Sequence, residues 1–311
     1  MRYVVTGGCG FIGSHVVNLL TSKGKKVAII DKITNRKTID SQFVHHDVQH
    51  FYMDISDPQL TEKALLPGDV VIHLAAQSHV DVSFKNPVQT TISNVVGIHS
   101  LLAACVKKGV KKILVMSTDE VYGSTDKIVD VNLLDPANPY SASKAAADMI
   151  VSAYMKMHPE ITITTLRSNN IAGPGQFINN IIPRFSILGL LNRQFTLHGD
   201  GSAQRRYLWV KDAAMAIYLL ANEATKSKVY HIGHEDAYSN LEIATKIGNY
   251  LGLEDYISFE KDRLINDTIY PADSVDILRD FGWKPTRDID DFLPETIEWY
   301  KEHLDNFRDL V

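Results

Sequence analysis

An apolar run that ends in a glycine-rich turn and opens at once into a helical pattern constrains this chain more than any other feature. Arg2–Thr6 (RYVVT) leads through Gly7, Gly8, Cys9 and Gly10 to Phe11, Ile12 and Gly13, and the helical spacing continues to Leu20. A turn that tight needs residues without a Cβ, and a helix starting there presents unpaired N–H groups to an anion. Gly7 and Gly10 let the backbone approach a pyrophosphate, and Gly13 lets helix and strand pack closely. This is a dinucleotide-binding turn in the strand–turn–helix context that gives the pattern meaning. The next apolar run, Lys26–Ile30, is followed by Asp31, 21 positions after Gly10. A carboxylate there accepts hydrogen bonds from ribose hydroxyls and repels a 2′-phosphate, so NAD is expected over NADP even with Lys32 beside it.

The rest of the first half keeps the same rhythm. β-rich runs at Asp69–Leu74, Lys111–Ser117 and Ile161–Leu166 alternate with helical patterns at Pro87–Val106 and Pro139–Met157. VAII, DVVIHLAA and KILVMS are apolar without alternation, as strands covered on both faces are. The expected fold is α/β: a doubly wound, Rossmann-like parallel sheet with a second, smaller mixed α/β substrate lobe. The rhythm changes after residue 166, where glycine and proline become frequent. We therefore divide the chain into an NAD-binding unit, 1–166, and a mainly substrate-binding lobe, 167–311. Segments around 205–232, including the strand-like Lys228–Ile232, are expected to return to the main sheet.

Composition narrows the function classes. The 311 residues carry a formal net charge of −5, which provides no basic field for nucleic acid. Two cysteines, Cys9 and Cys105, make neither a disulfide framework nor a metal cluster, which suits a reducing compartment. No metal site is expected; His45, His46 and His50 lack ligand spacing and read as a surface loop. The N-terminus runs directly into a strand and no window approaches a spanning helix, so the expectation is a soluble, cytoplasmic protein without a membrane partner.

Two residue pairs carry the chemistry. Tyr140 and Lys144 lie four apart at the start of a helical pattern and project from one face, where an ammonium brings a phenol into working range as a base. Asp119 and Glu120 directly follow the run ending Met116-Ser117-Thr118, at the strand end where such sheets place ligands. Oxidation of an alcohol needs one base, so an additional acid and base imply a further proton-transfer step such as elimination of water. Asp54 and Ile55 are candidates to contact adenine, and Leu74, Ala75 and Ala76 are small enough to permit close approach to a cofactor.

Taken together, TGGCGFIG, HLAAQSHVD, MSTDEVYG, PYSASKAAAD, RSNN, HGDGSAQRRYLWVKD and FGWKP resemble the extended short-chain dehydrogenases, and within them the nucleotide-hexose 4,6-dehydratases. STDE at 117–120 is the discriminating piece, because the related 4-epimerases lack the Asp-Glu couple. The resemblance implies Thr118 at the sugar 4-hydroxyl beside Tyr140, Asp119 as general acid and Glu120 as general base. It places Phe11, Ile12, Leu74, Ala75, Ala76, Gln77, Ser78, Ser93 and Asn170 around NAD, and Ser78, Thr118, Asn169, Asn180, Arg205 and Asn240 toward the nucleotide sugar. Arg205 suits a diphosphate, which a guanidinium clamps with two parallel bonds.

The chain also departs from that pattern. Ala172 stands where relatives have tyrosine, Asn179-Asn180 where they have Glu-Lys, and Ile269 where a second phosphate-binding arginine is usual; Lys261, Arg263 and Arg184 are candidates to compensate. DRLINDTIY resembles the UDP-glucose enzymes more than the dTDP-glucose enzymes, so UDP-glucose is the expected substrate and dTDP-glucose the alternative. Two other readings remain: a UDP-sugar 4-epimerase, in which no water is lost, and a non-catalytic NAD-binding regulator. In relatives the helices matching Pro87–Val106 and Pro139–Met157 pair across a homodimer, which is expected here.

Overall fold

The computed structural model describes residues 1–32, 48–125, 127, 130–261, 270–271 and 274–311. His45, His46, Arg263, Ile269 and most of DRLINDTIY lie outside the described residues. In chain order the elements are β1 (Arg2–Thr6), α1 (Phe11–Ser22), β2 (Lys26–Asp31), β3 (Gln49–Tyr52), α2 (Pro58–Ala64), β4 (Val70–His73), α3 (Val80–Lys85), α4 (Pro87–Thr91), α5 (Gly97–Lys108), β5 (Lys112–Met116) and α6 (Pro139–Met157). There follow β6 (Thr162–Ser168), β7 (Asn170–Ala172), α7 (Ile181–Leu190), β8 (Phe195–His198), β9 (Gln204–Trp209), α8 (Val210–Glu223), β10 (Lys228–Ile232), β11 (Ala237–Ser239), α9 (Asn240–Leu251), β12 (Ile257–Glu260), α10 (Val275–Phe281) and α11 (Ile289–Glu302).

Seven strands form one parallel sheet in the order β10-β6-β5-β4-β1-β2-β3. Alternate side chains of each central strand enter opposite cores, because successive Cβ atoms point to opposite faces. Tyr3, Val5, Ile29 and Ile72 join Val16, Val17 and Leu20 of α1 and Ile217 of α8 on one face. Val4, Ala28, Ile30 and Val71 join Ile98, Leu101 and Leu102 of α5 and Val151 of α6 on the other. Burial on both faces explains why these runs are apolar without a polar alternate, each buried aliphatic side chain being worth about 1.5–3 kcal/mol.

β10 pairs with β6 at the sheet edge, and α8 packs beside α1, so the chain does return to the main sheet as 228–232 suggests. The change of rhythm at 166 falls inside β6, two residues before its end. The remaining strands make a three-stranded sheet, β11-β9-β7, and a two-stranded pair, β12-β8, carried by α7, α9 and α11.

One expectation is corrected. The helical stretch Pro87–Lys108 has 22 residues, and an 18-residue window within it has a mean hydropathy of 1.2, long and apolar enough to cross a membrane. Half of that window is buried inside the fold, where Ile98, Leu101 and Leu102 cover the sheet. Its apolar character thus has a structural use as a helix flanking the central strands.

Candidate active site

Strand order reverses between β1 and β4, and a doubly wound sheet binds its ligand in the crevice at the carboxyl ends of the strands flanking such a reversal. The glycine turn lies there. Gly7 has φ +70°, and a Cβ on it would stand 2.7 Å from the Ala75 nitrogen; a Cβ on Gly13 would stand 2.0 Å from the Gly7 carbonyl oxygen. Only glycine lets this turn close against both α1 and the β4 loop. Gly10 caps α1 with no side-chain hydrogen bond and no acid lies in the first turn, leaving the helix start open to an anion. Asp31 ends β2, and its Oδ2 accepts the Cys9 N–H at 3.0 Å, which aims the carboxylate back over the glycine turn.

The other expected cofactor residues fall around the same crevice with different degrees of commitment. Lys32 reaches away from Asp31, to Asp54 Oδ2 at 3.1 Å and Ser93 Oγ at 3.4 Å, while Asp54 Oδ1 accepts the Ser56 N–H. Ile55 is buried in the core beside Gly97 and serves packing. Ala75 donates its N–H to Thr6 Oγ1 at 3.3 Å, and Leu74 packs on the core. Gln77 is held through its backbone, and Ala76 and Ser78 are exposed. Cys9 and Cys105 are both buried; burial pushes the Cys9 thiol up to about 12, so it is inert at neutral pH.

Asp119 and Glu120 open a 3-10 turn, Asp119–Tyr122, at the end of β5. Thr118 begins it, its Oγ1 accepting the Glu120 N–H and donating to Asp119 Oδ1, each at 3.2 Å. Asp119 is 4% exposed, and burial raises its carboxyl to about 6 against the pull of hydrogen bonds from Asn169 and Thr118 and the charge of Arg205. It is therefore a partly protonated acid near neutrality. Glu120 is less buried, and Asn138, which caps α6, reaches its Oε2 at 3.4 Å.

Tyr140 and Lys144 follow on α6, both buried. The Tyr140 phenol is pushed well above its usual value by burial and by the carboxylates of Glu120 and Asp119. Burial lowers Lys144, and Asp148 opposes that shift. The Lys144 ammonium donates to the Met116 carbonyl at 2.6 Å, at the end of β5, and not to the phenol that the four-residue spacing suggests.

The sugar-side residues divide. Asn169 Nδ2 donates to Asp119 Oδ2 at 2.6 Å and to the Pro271 carbonyl at 2.9 Å, which puts it at the acid. Arg205 acts electrostatically on Asp119 and lies 4.9 Å over the Tyr270 ring. Asn240 starts α9 and donates its N–H to Ala203, just before β9, at the same strand end as Arg205. Asn180 precedes α7 and donates its side chain to the Phe177 carbonyl. Asn170 opens β7 opposite Tyr207. Arg184 and Lys261 are exposed.

Several residues at the site were not singled out by pattern. Asn94, in a π-helical turn Ile92–Val96, accepts the Gln77 N–H, donates to the Gln77 carbonyl and donates to Ser143 Oγ, clamping the β4 loop to α6. A π-turn inside a helix often marks a functional position, but it has no sequence signature here. His73 ends β4 hydrogen-bonded to Thr6 at 2.7 Å and is brought down to about 3 by burial and the nearby Lys144, so it stays neutral. Among the described residues no group of acids, histidines and cysteines is arranged to hold a metal.

A dinucleotide cradle at the switch point of a parallel sheet, with a buried tyrosine and lysine one turn apart on the following helix, defines a short-chain dehydrogenase/reductase. Within that class, the model of the family described as GDP-mannose 4,6 dehydratase matches residues 4–296, and the chain belongs to this family. It is 35% identical over 322 residues to a trifunctional UDP-glucose 4,6-dehydratase/UDP-4-keto-6-deoxy-D-glucose 3,5-epimerase/UDP-4-keto-L-rhamnose-reductase of Arabidopsis thaliana. That alignment covers 99% of this chain and 48% of the relative, so the chain spans about half the length of that protein. The dTDP-glucose 4,6-dehydratase DesIV of Streptomyces venezuelae, solved with NAD and TYD bound, superposes with a TM-score of 0.90 at 32% identity, over 97% of each chain. A UDP-glucose 4-epimerase of Thermotoga maritima, solved with UDP-glucose, superposes with the same TM-score of 0.90 at 26% identity, over 98% of this chain and 100% of that one.

Proposed function

We propose that this chain is an NAD-dependent nucleotide-glucose 4,6-dehydratase that converts UDP-glucose, or with lower preference dTDP-glucose, to the 4-keto-6-deoxy sugar and water. The observation that carries this reading is Asp119, a buried carboxyl raised to about 6, adjacent to the less buried Glu120 and on the same site as Tyr140 and Lys144. Two neighbouring carboxyl groups in unlike environments divide into an acid and a base. An epimerase has the same overall fold and needs neither.

The cradle fits NAD: Gly7, Gly10, Phe11, Ile12 and Gly13 receive the pyrophosphate at the start of α1, and Asp31, held by Cys9, receives the adenosine ribose. Asp54, Leu74, Ala75, Ala76, Gln77, Ser78, Ser93 and Asn170 complete the surround, and Ile55 packs behind them. When bound, NAD supplies a positively charged ring that takes a hydride from C4 of the sugar and later returns it at C6. Tyr140 takes the proton of the 4-hydroxyl; its phenol stands high in the protein alone, and the positive charge of bound NAD together with Lys144 would favour the phenolate. The resulting 4-ketone makes the neighbouring C5–H acidic, and Glu120 removes that proton. Asp119 protonates the C6 hydroxyl, which leaves as water, and Asn169 holds the Asp119 carboxyl in place. Ser78, Asn180, Arg205 and Asn240 hold the nucleotide diphosphate and sugar, with Arg205 the principal anion contact.

Phe84 on α3, Val88, Ile92 and Val96 on the Pro87–Lys108 helix and Met149 on α6 leave apolar side chains exposed, and we assign this surface to a homodimer in the cytoplasm. The reaction is tested by incubating the protein with UDP-, dTDP- and GDP-glucose side by side and weighing the products. UDP-glucose is expected to lose one water fastest. An isomer of unchanged mass would make the protein an epimerase, and no turnover of any of the three would support the non-catalytic reading.

A further inference from the structure

One buried arginine joins the two halves of the catalytic group. Arg167, 3% exposed near the end of β6, donates from Nε to Asp148 Oδ2 at 2.8 Å and from Nη1 to the Tyr122 hydroxyl and to the Val131 carbonyl. Its guanidinium also lies 4.8 Å over the Tyr122 ring. Tyr122 closes the turn that begins with Asp119 and Glu120. Because arginine only donates, the Tyr122 oxygen accepts, and the hydroxyl proton is free for His231 Nε2 at 2.7 Å on β10. Asp148 stands one helical turn after Lys144 on α6 and also accepts the Ser117 hydroxyl at 2.9 Å. Its second oxygen, Oδ1, is buried with no hydrogen-bond partner.

We infer that Arg167 is a positioning residue with two arms, one through Tyr122 that sets the Asp119/Glu120 turn and one through Asp148 that sets Lys144, so that each arm governs a different step of the same turnover. The inference rests on the residue roles proposed above. None of the three touches the reacting atoms in that scheme. Buried networks of this kind hold geometry strongly because each member loses a partner it cannot replace from water. Tyr122 links the guanidinium directly to the acid–base turn, whereas Asp148 reaches only the base of that turn, through the Ser117 hydroxyl. Asp148 brings a negative charge to the Lys144 environment, whose other neighbours include neutral His73 and the Met116 carbonyl.

The two arms predict opposite kinetic signatures. In Tyr122→Phe the Asp148 arm is intact, so sugar oxidation proceeds while elimination slows about tenfold or more, a typical result of displacing a catalytic group by a fraction of an ångström. Reduced nicotinamide then accumulates on mixing with UDP-glucose and is read by its absorbance. Amide hydrogens of 119–123 exchange faster in the same variant, with or without substrate. In Asp148→Asn the Tyr122 arm is intact but Lys144 loses the negative charge that supports its protonated form. Oxidation slows, no reduced nicotinamide accumulates, and the alkaline limb of the rate profile moves to lower pH.

Wild-type protein is run alongside: if it releases no water from the sugar, the proposed function fails, whatever the variants do. If it does release water, parallel loss of both steps in the two variants, or wild-type kinetics in Tyr122→Phe, overturns the two-arm assignment. Should Asp148→Asn not fold, Tyr122→Phe decides alone, since it removes one hydroxyl and keeps the ring that packs under Arg167.

Discussion

Asp119 is buried where an ionised carboxylate is disfavoured, so the residue that makes the site an acid also strains the fold. Its carboxyl sits higher in the folded chain than in the unfolded one. Protonation is therefore favoured by folding: the stabilising contribution is complete below the unfolded value and is lost as pH rises through about 6. Asp119→Asn removes the buried charge, and near pH 8 the variant is expected to be more stable than wild type by up to about 3 kcal/mol, with the gap closing below about pH 4. Denaturant melts across that range check it, and a variant less stable than wild type at high pH would show that the carboxylate is well solvated. Activity moves the other way, because amide cannot protonate the leaving hydroxyl. At this scale the sequence was most legible where partners are close along the chain. Asp119-Glu120 and the four-residue step from Tyr140 to Lys144 could be read directly. Asn94 and Arg167 could not, since their partners, Gln77, Ser143, Tyr122 and Asp148, are 17 to 49 positions away and are brought together only by packing.

Among elements, the glycine turn and β10 do the most to place the site. The turn was legible because sterics leave so few residue types able to occupy it; Gly13→Ala puts a methyl group against the Gly7 carbonyl and is expected to weaken NAD binding at least about tenfold, measured by quenching of reduced-nicotinamide fluorescence. β10 was legible as an apolar run, but its exact use was not. It is followed directly by Gly233, where a Cβ would lie 1.9 Å from Asn169 Oδ1. Gly233→Ala is expected to push the Asn169 amide off Asp119. That hydrogen bond holds the carboxyl down, so losing it raises Asp119 further and shifts the alkaline limb of the elimination step to higher pH. An unshifted profile would mean that Asn169 finds another route to the acid. The Lys144 bond to Met116 shows the limit of element-level reading: helical spacing put two side chains on one face without saying which acceptor each would reach.

At the scale of the molecule, strand alternation made the doubly wound sheet readable, and the apolar helix Pro87–Lys108 finds its use in covering that sheet. Its outer face and that of α6 keep Val88 and Met149 more than two-thirds exposed, which is costly to leave in water and suits a second copy. Val88→Glu with Met149→Glu is expected to yield a monomer in sedimentation, and an unchanged mass would remove this face as the dimer contact. In the proposed reaction the bond changes have a fixed order, in which oxidation at C4 prepares C5 for a carboxylate pair at the end of β5. Because Glu120 is only partly buried, the proton it takes exchanges with solvent. The most direct measurement is turnover of UDP-glucose in heavy water, with the product analysed by mass and by NMR. The expected product has lost one water and carries deuterium at C5; a product of unchanged composition with hydrogen retained at C5 would rule out this order of steps.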